Sequence, residues 1–182
     1  MRREARGNGR RAKVLGLALW ALVFAQWLPA DAQQAIFLAR HADTVRQKGN
    51  PDFPLSEAGE RRAVALAALL KDSGITVIYT TGLRRTVKTA EPLAMSLGIE
   101  PKLRPQLRPG SQPIDSENFA ELLRAQHARD IVLIVLHSNS VPALLKALGH
   151  PASIKIPEWE FDNLFVITPR AEGPPTVMRL RY

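Results

Sequence analysis

The sequence predicts an α/β fold: one three-layer α/β/α domain with a mainly parallel sheet and an antiparallel edge. Three observations predict it. Short apolar or β-branched runs such as residues 75–80 and 131–136 alternate with helix-length amphipathic segments. The apolar runs lack the polar alternation of a half-exposed sheet, so layers cover both faces. The last two strand-like runs flank Gly173-Pro174-Pro175 and read as an antiparallel edge pair.

Taken in order, residues 34–39 form a buried strand, apolar and free of Gly and Pro, that ends in Arg40-His41. A polar loop with Gly49, Asn50, Pro51 and Pro54 follows. Ser56 is a good N-cap for a helix to about Asp72, closed at Gly74, with Glu57 and Glu60 favoured by the helix dipole. Val64, Leu66, Ala67, Leu69 and Leu70 are its apolar face. Residues 75–80 are the second strand, and Thr81-Gly82 turns the chain into a helix over 84–97, closed by Gly98. Residues 99–115 hold four prolines and Gly110 and form a long connection with a short strand near Leu103. Long ordered loops in compact domains are often functional. Ser116 caps a third helix to about His127. Residues 131–136, the most apolar strand, are expected at the sheet centre. His137-Ser138-Asn139-Ser140 leads into a helix over 141–148, ended by Gly149, and strands at 164–168 and 177–181 complete the chain.

Composition narrows the function. The 182 residues, 46% hydrophobic and 23% charged, suit one core. The absence of cysteine excludes disulfides, thiolate catalysis and cysteine-based metal sites. Half of the net charge of +8 sits in residues 1–32, where six Lys/Arg face two Asp/Glu. The mild surplus elsewhere suits steering of anionic substrates and is weak support for a nucleic-acid partner, so none is expected.

Residues 1–32 read as a signal peptide and residues 33–182 as the functional domain. Arg2, Arg3, Arg6, Arg10, Arg11 and Lys13 precede a mostly apolar run of 15 residues, 14–28, and Ala30-Asp31-Ala32 fits a small-x-small cleavage site before Gln33. The apolar run is short of the roughly 20 residues that span a bilayer. Arg10-Arg11 is a poor match to a twin-arginine signal, and an uncleaved anchor is the alternative. The expected location is periplasmic or secreted, with no membrane contact for the mature chain unless the signal stays attached.

Three strand-to-helix junctions carry polar or basic residues: Arg40 and His41; Arg84 and Arg85; His137, Asn139 and Ser140. In a parallel sheet they lie on one edge, where ligands of open α/β sheets bind. Arginines and histidines without metal-ligand spacing suit a tetrahedral, doubly charged oxyanion, which arginine binds by paired charge-assisted hydrogen bonds. Helix N-termini after Gly82 and Asn139 add backbone donors. A neutral imidazole is also a nucleophile near pH 7, so attack on phosphorus can give a phosphohistidine that water hydrolyses. No metal or cofactor is called for.

These residues resemble the histidine phosphatase superfamily, phosphoglycerate mutase-like branch. Arg40-His41-Ala42-Asp43-Thr44 resembles the family's Arg-His-Gly signature, and Pro54-Leu55-Ser56-Glu57-Ala58-Gly59 its next segment. The stretch from Thr81 to Ala90 and the histidine of His137-Ser138-Asn139-Ser140 match two more. The resemblance implies a metal-independent phosphatase with His41 as nucleophile and Arg40, Arg85 and His137 holding the phosphoryl group. Asn139 is expected to bind phosphate too.

Three positions depart from the pattern. Ala42 replaces the usual glycine, as in small bacterial phosphohistidine phosphatases. Gln47 stands where mutases often carry a phosphate-contacting asparagine. Ser138 follows the second histidine, where some branches place the acid. Glu117 is therefore the candidate proton donor, with Asp115 and Asp43 as alternatives; Asp115 and Glu117 also suit a helix N-terminus.

Other residues have plainer readings. Arg84 reads as the surface member of its pair. His127 and His150 suit helix ends, Trp159, Phe161 and Phe165 suit packing, and Asp162-Asn163 suits a turn. The expected function is hydrolysis of a phosphomonoester, a small phosphorylated substrate or an envelope phosphosugar. The alternative is a non-catalytic phosphate-binding or interaction module of the same fold. A mutase is disfavoured by the short mature chain and by export.

Overall fold

A computed structural model of the chain describes residues 35–103, 115–170 and 172–182. The signal-peptide expectation for residues 1–32, and most of the proline-rich connection, lie outside the described residues. The elements are β1 (Ile36–Arg40), α1 (Glu57–Leu70), β2 (Val77–Thr80), α2 (Arg84–Leu97), β3 (Lys102–Leu103), α3 (Ser116–Gln126), β4 (Val132–Leu136), α4 (Ser140–Ala147), β5 (Asn163–Thr168) and β6 (Thr176–Arg181).

The strands form one six-stranded sheet in the order β3-β2-β4-β1-β5-β6. β4 lies in the middle, parallel to β1 and β2, and β2 is parallel to β3. β5 runs antiparallel to β1, and β6 antiparallel to β5, giving the expected edge pair. Side-chain alternation sends Ile36, Leu38, Val132, Ile134 and Leu136 to a core shared with Phe119, Leu123, Val141, Leu144 and Leu145 of α3 and α4. Ala39, Ile78, Leu133, Val135 and Leu164 face the other way, against Leu66, Leu70, Ala90 and Leu93 of α1 and α2. Leu133, Ile134 and Leu136 are fully buried. At roughly 1.5–3 kcal/mol for each such side chain, β4 is the anchor of both cores.

The register positions the site. Arg40 pairs with Leu136, and Thr80 pairs with Val135. β1, β2 and β4 therefore end together, so His41, Thr81 and His137 emerge side by side. The His41 backbone N–H is fixed to the Leu136 carbonyl at 2.9 Å.

Some element boundaries differ from the sequence reading. α3 is capped by Asp115, whose side chain accepts the Asn118 N–H, while Ser116 is the first helical residue. An aspartate one position upstream offers a charged acceptor, which suits the helix dipole better than a hydroxyl. α1 ends at Leu70 rather than near Asp72, because Lys71 and Ser73 close the last turn on Ala67 and Leu70. No described helix is long and apolar enough to cross a membrane.

Candidate active site

The loop after β1 is held by two of the segments singled out in the sequence. Ser56 caps α1 by accepting the Gly59 N–H at 3.1 Å, and its own N–H donates to the Asp43 carbonyl at 3.0 Å. A Cβ on Gly59 would lie 2.1 Å from that carbonyl oxygen, so only glycine lets α1 approach so closely. On the other side, the Ala42 N–H donates to Thr89 Oγ1 at 2.9 Å, and that hydroxyl donates to the Arg85 carbonyl at 2.6 Å. One threonine thus ties the loop after His41 to the helix that carries Arg85.

His41 is 7% exposed, and its Nδ1 lies 2.8 Å from the Ala42 carbonyl oxygen. A carbonyl only accepts, so Nδ1 carries the proton and Nε2 keeps its lone pair. Burial is the main cause that pushes the His41 pKa down to about 3, helped by His137, Arg85 and Arg40. The imidazole is neutral near pH 7. The His137 ring packs edge-on at 5.3 Å between centroids, and its pKa falls to about 4 through burial, Arg85 and Arg40.

Among the described residues, the buried side-chain atoms without a hydrogen-bond partner include Arg40 Nε, Arg85 Nη1 and His137 Nδ1. Asp52 Oδ1 lies 4.0 Å from Arg85 Nη1, too far for a hydrogen bond. Buried donors left open carry a real cost. Two arginine donors and one imidazole nitrogen, all left open on groups that act on His41, describe a place for an oxyanion. The remaining edges of Arg40 are used by the protein: Nη1 donates to the carbonyls of Pro157 at 2.7 Å and Glu160 at 3.0 Å, and Nη2 to Glu158 at 3.1 Å. Phe161 lies on its guanidinium at 4.2 Å and on the His41 ring at 5.9 Å.

The structure brings Arg40, His41, Arg85 and His137 together. Arg84 is exposed, as read from the sequence. Asn139 precedes α4, exposed, with its Oδ1 accepting from Ser140 Oγ. Of the acid candidates, Asp43 pairs with Arg62 at 2.6 Å and Asp115 caps α3. Glu117 is exposed on the first turn of α3 and takes part in none of the bonds just described. Gln47 turns to Asn50, whose amide donates to it at 3.2 Å.

The segment that carries Pro157 to Phe161 is the part that sequence reasoning missed. Glu158 bonds Arg40 and also accepts from Ser138 Oγ at 2.5 Å. Phe165 packs in the core as expected, but Trp159 is 79% exposed, because its neighbours turn their backbone toward Arg40. Asn163 is buried in β5 and accepts from Arg179, so Asp162-Asn163 is more than a turn. His127 does not simply end a helix: it is buried between Tyr79 Oη at 2.9 Å and Asp130 at 2.7 Å. The signal available in sequence was a cluster of two acids and two aromatics after a proline, with no periodicity to place it.

The chain is similar in sequence and fold to known proteins. Residues 36–109 match the profile of the histidine phosphatase superfamily (branch 1). A probable phosphoglycerate mutase of Cronobacter sakazakii is 42% identical over 78 residues, covering 40% of this chain and 36% of that protein. A Yersinia enterocolitica relative of the same description is 41% identical over the same shares. The chain thus matches about a third of the length of these curated relatives. Among solved structures, the protein histidine phosphatase SixA complexed with tungstate superposes with a TM-score of 0.67 at 19% identity, over 81% of this chain and 97% of that one. A mycobacterial glucosyl-3-phosphoglycerate phosphatase bound to inorganic phosphate gives 0.58 at 20% identity, over 82% and 96%. At these identities the structures establish the shared fold.

Proposed function

We propose that this chain, whose residues 36–109 match the histidine phosphatase superfamily, hydrolyses a phosphomonoester through a phosphohistidine on His41, without a metal. The observation that carries this is the tautomer of His41. Its Nδ1–H is held by Ala42, so Nε2 keeps its lone pair beside the open donors of Arg40 and Arg85 and the open ring nitrogen of His137. The Nε2 lone pair attacks phosphorus, the P–O bond breaks, and water then cleaves the N–P bond. Arg40 and Arg85 supply charge where it develops on the phosphoryl oxygens, and preorganised donors of this kind are often the largest catalytic term. His137 gains a proton as the dianion binds and becomes a third cation.

The test is hydrolysis of p-nitrophenyl phosphate in EDTA by residues 33–182 and by His41→Ala. Turnover by the first and loss in the second supports the reading. Equal rates would sink it, and the non-catalytic module would take its place. Loss of activity in EDTA alone would remove the metal-free clause. Isomerisation of a phosphoglycerate without phosphate release would replace hydrolysis by mutase chemistry.

The substrate we favour is a small envelope phosphosugar, on the strength of the basic, apolar and small-residue pattern of residues 1–32. Recovery of the protein from the periplasmic fraction with Gln33 as its first residue tests the location. A screen of phosphorylated sugars tests the substrate.

A further inference from the structure

We propose that Glu158 is the general acid and base of the reaction, protonating the leaving oxygen and then taking a proton from the hydrolytic water. The inference rests on His41 being the nucleophile. In-line displacement puts the leaving oxygen opposite the attacking nitrogen. His41 is buried, so that oxygen departs on the solvent side. Glu158 lies on the solvent side of Arg40. Its Oε2 lies 3.1 Å from Arg40 Nη2, its Oε1 accepts from Ser138 Oγ at 2.5 Å, and its side chain is 72% exposed. Ser138 is the residue next to His137, so the carboxylate links Arg40 to the chain just after His137.

The loop backbone on either side is pinned. Arg40 Nη1 binds the carbonyls of Pro157 and Glu160, while the Glu160 carboxylate is held by Arg179 and Arg181, each at 2.9 Å. Glu158 is therefore presented from a fixed base with its side chain exposed. The other nearby carboxylates are engaged. Asp43 binds Arg62, Asp52 accepts the Arg84 backbone N–H at 2.8 Å, and Asp115 caps α3.

The charged and titratable groups that act on Glu158 are Arg40 at the end of β1 and His137 after β4. In this cycle Glu158 enters the first step as the carboxylic acid and leaves it as the carboxylate. As the His41 N–P bond forms and the P–O bond breaks, the electron pair goes to the leaving oxygen, which takes the Glu158 proton. In the second step a water O–P bond forms, the N–P pair returns to His41, and the water proton goes to Glu158.

The test compares wild type with Glu158→Gln on p-nitrophenyl phosphate, whose leaving group departs without a proton, and on β-glycerophosphate, whose leaving group needs one. General acid catalysis contributes about 10²–10⁴-fold, so a loss of about 100-fold or more is expected on the glycerol ester, and at least tenfold less on the aryl ester. Phosphohistidine should accumulate in the variant as a burst with the aryl ester, because water attack loses its base. Trp159 is the one tryptophan in residues 33–182, and its fluorescence on adding tungstate reports that the variant still binds an oxyanion. Equal losses on both esters would reduce Glu158 to a positioning partner of Arg40 and overturn the assignment, as would an undiminished rate on the glycerol ester. A wild type that forms no phosphohistidine, or a His41→Ala variant that stays active, would overturn the functional reading itself.

Discussion

His41 Nδ1 lies 2.8 Å from the carbonyl oxygen of Ala42, and this contact selects the ring nitrogen that can react. The carbonyl belongs to the very next residue, so the tautomer is set by local chain geometry before any ligand arrives. Thr89 holds the Ala42 N–H from the far side, which keeps that carbonyl in place. Replacing Thr89 by Val removes the acceptor while keeping the shape. A fall in kcat of about tenfold is expected, in line with loss of about one hydrogen bond's contribution of roughly 1–1.5 kcal/mol from the aligned state. Steady-state kinetics on an aryl phosphate measures it, and an unchanged kcat would remove the threonine from the positioning of His41.

Arg40 and Arg85 are predicted to fail differently when truncated. Arg85→Ala removes a transition-state cation and little else, so turnover falls about 10²–10³-fold while stability changes by less than about 1 kcal/mol. Arg40→Ala also frees the carbonyls of Pro157 and Glu160 and the Glu158 carboxylate, so both activity and melting temperature drop. Paired kinetic and urea-unfolding measurements separate the two. Equal stability losses would show that the 157–161 segment does not depend on Arg40.

Most of the fold was legible because its strands are covered on both faces, and such strands read as unbroken apolar runs. Residues 132–136 announced the sheet centre in this way, and Gly98 announced the end of α2, where the structure has φ +65°. The meeting of Arg40, Arg85 and His137 at one sheet edge was legible too, since it follows directly from where the strands stop. The loop residues were not. Glu158 reaches Arg40 across 118 positions through an irregular segment, and no period in the sequence encodes that return. Trp159 looked like core because its side chain is apolar, yet the backbone bonds of its neighbours to Arg40 leave it outside. The burial of His127 was hidden for the same reason: its partner Tyr79 lies 48 positions away.

Gly59 gives a sharper structural test than any core residue. An added Cβ would sit 2.1 Å from the Asp43 backbone oxygen, and backbone cannot rotate aside as a side chain can. Gly59→Ala should cost about 1–3 kcal/mol or more in overpacking. It should also depress kcat, because Asp43 lies two residues from His41. At Gly82 the same Cβ would meet nothing within 4 Å, so Gly82→Ala is the matched control and should change stability by no more than about 0.5 kcal/mol. If both variants melt together, the close approach of α1 to the catalytic loop is not a constraint on this fold.

The two site histidines also make stability depend on pH, with a sign that can be worked out. Their pKa values fall from 6.5 to about 3 for His41 and about 4 for His137, chiefly through burial. Between pH 6.5 and pH 5 the unfolded chain therefore binds more protons at these positions than the folded one. Stability then rises with pH in that window and is lost as pH falls through it, each histidine contributing at most about 1.4 kcal/mol per pH unit. Urea titrations at pH 7, 6 and 5 should show this loss, and His137→Asn should remove close to half of the slope. A bound dianion works in the opposite direction, because it favours the protonated form of His137. Tungstate should therefore flatten the dependence, and its binding at pH 7 should take up a proton, seen as a buffer-dependent calorimetric enthalpy. Unchanged stability from pH 7 to pH 5 would mean that the histidines are not held neutral by burial, and the argument for a neutral His41 nucleophile would lose its electrostatic basis.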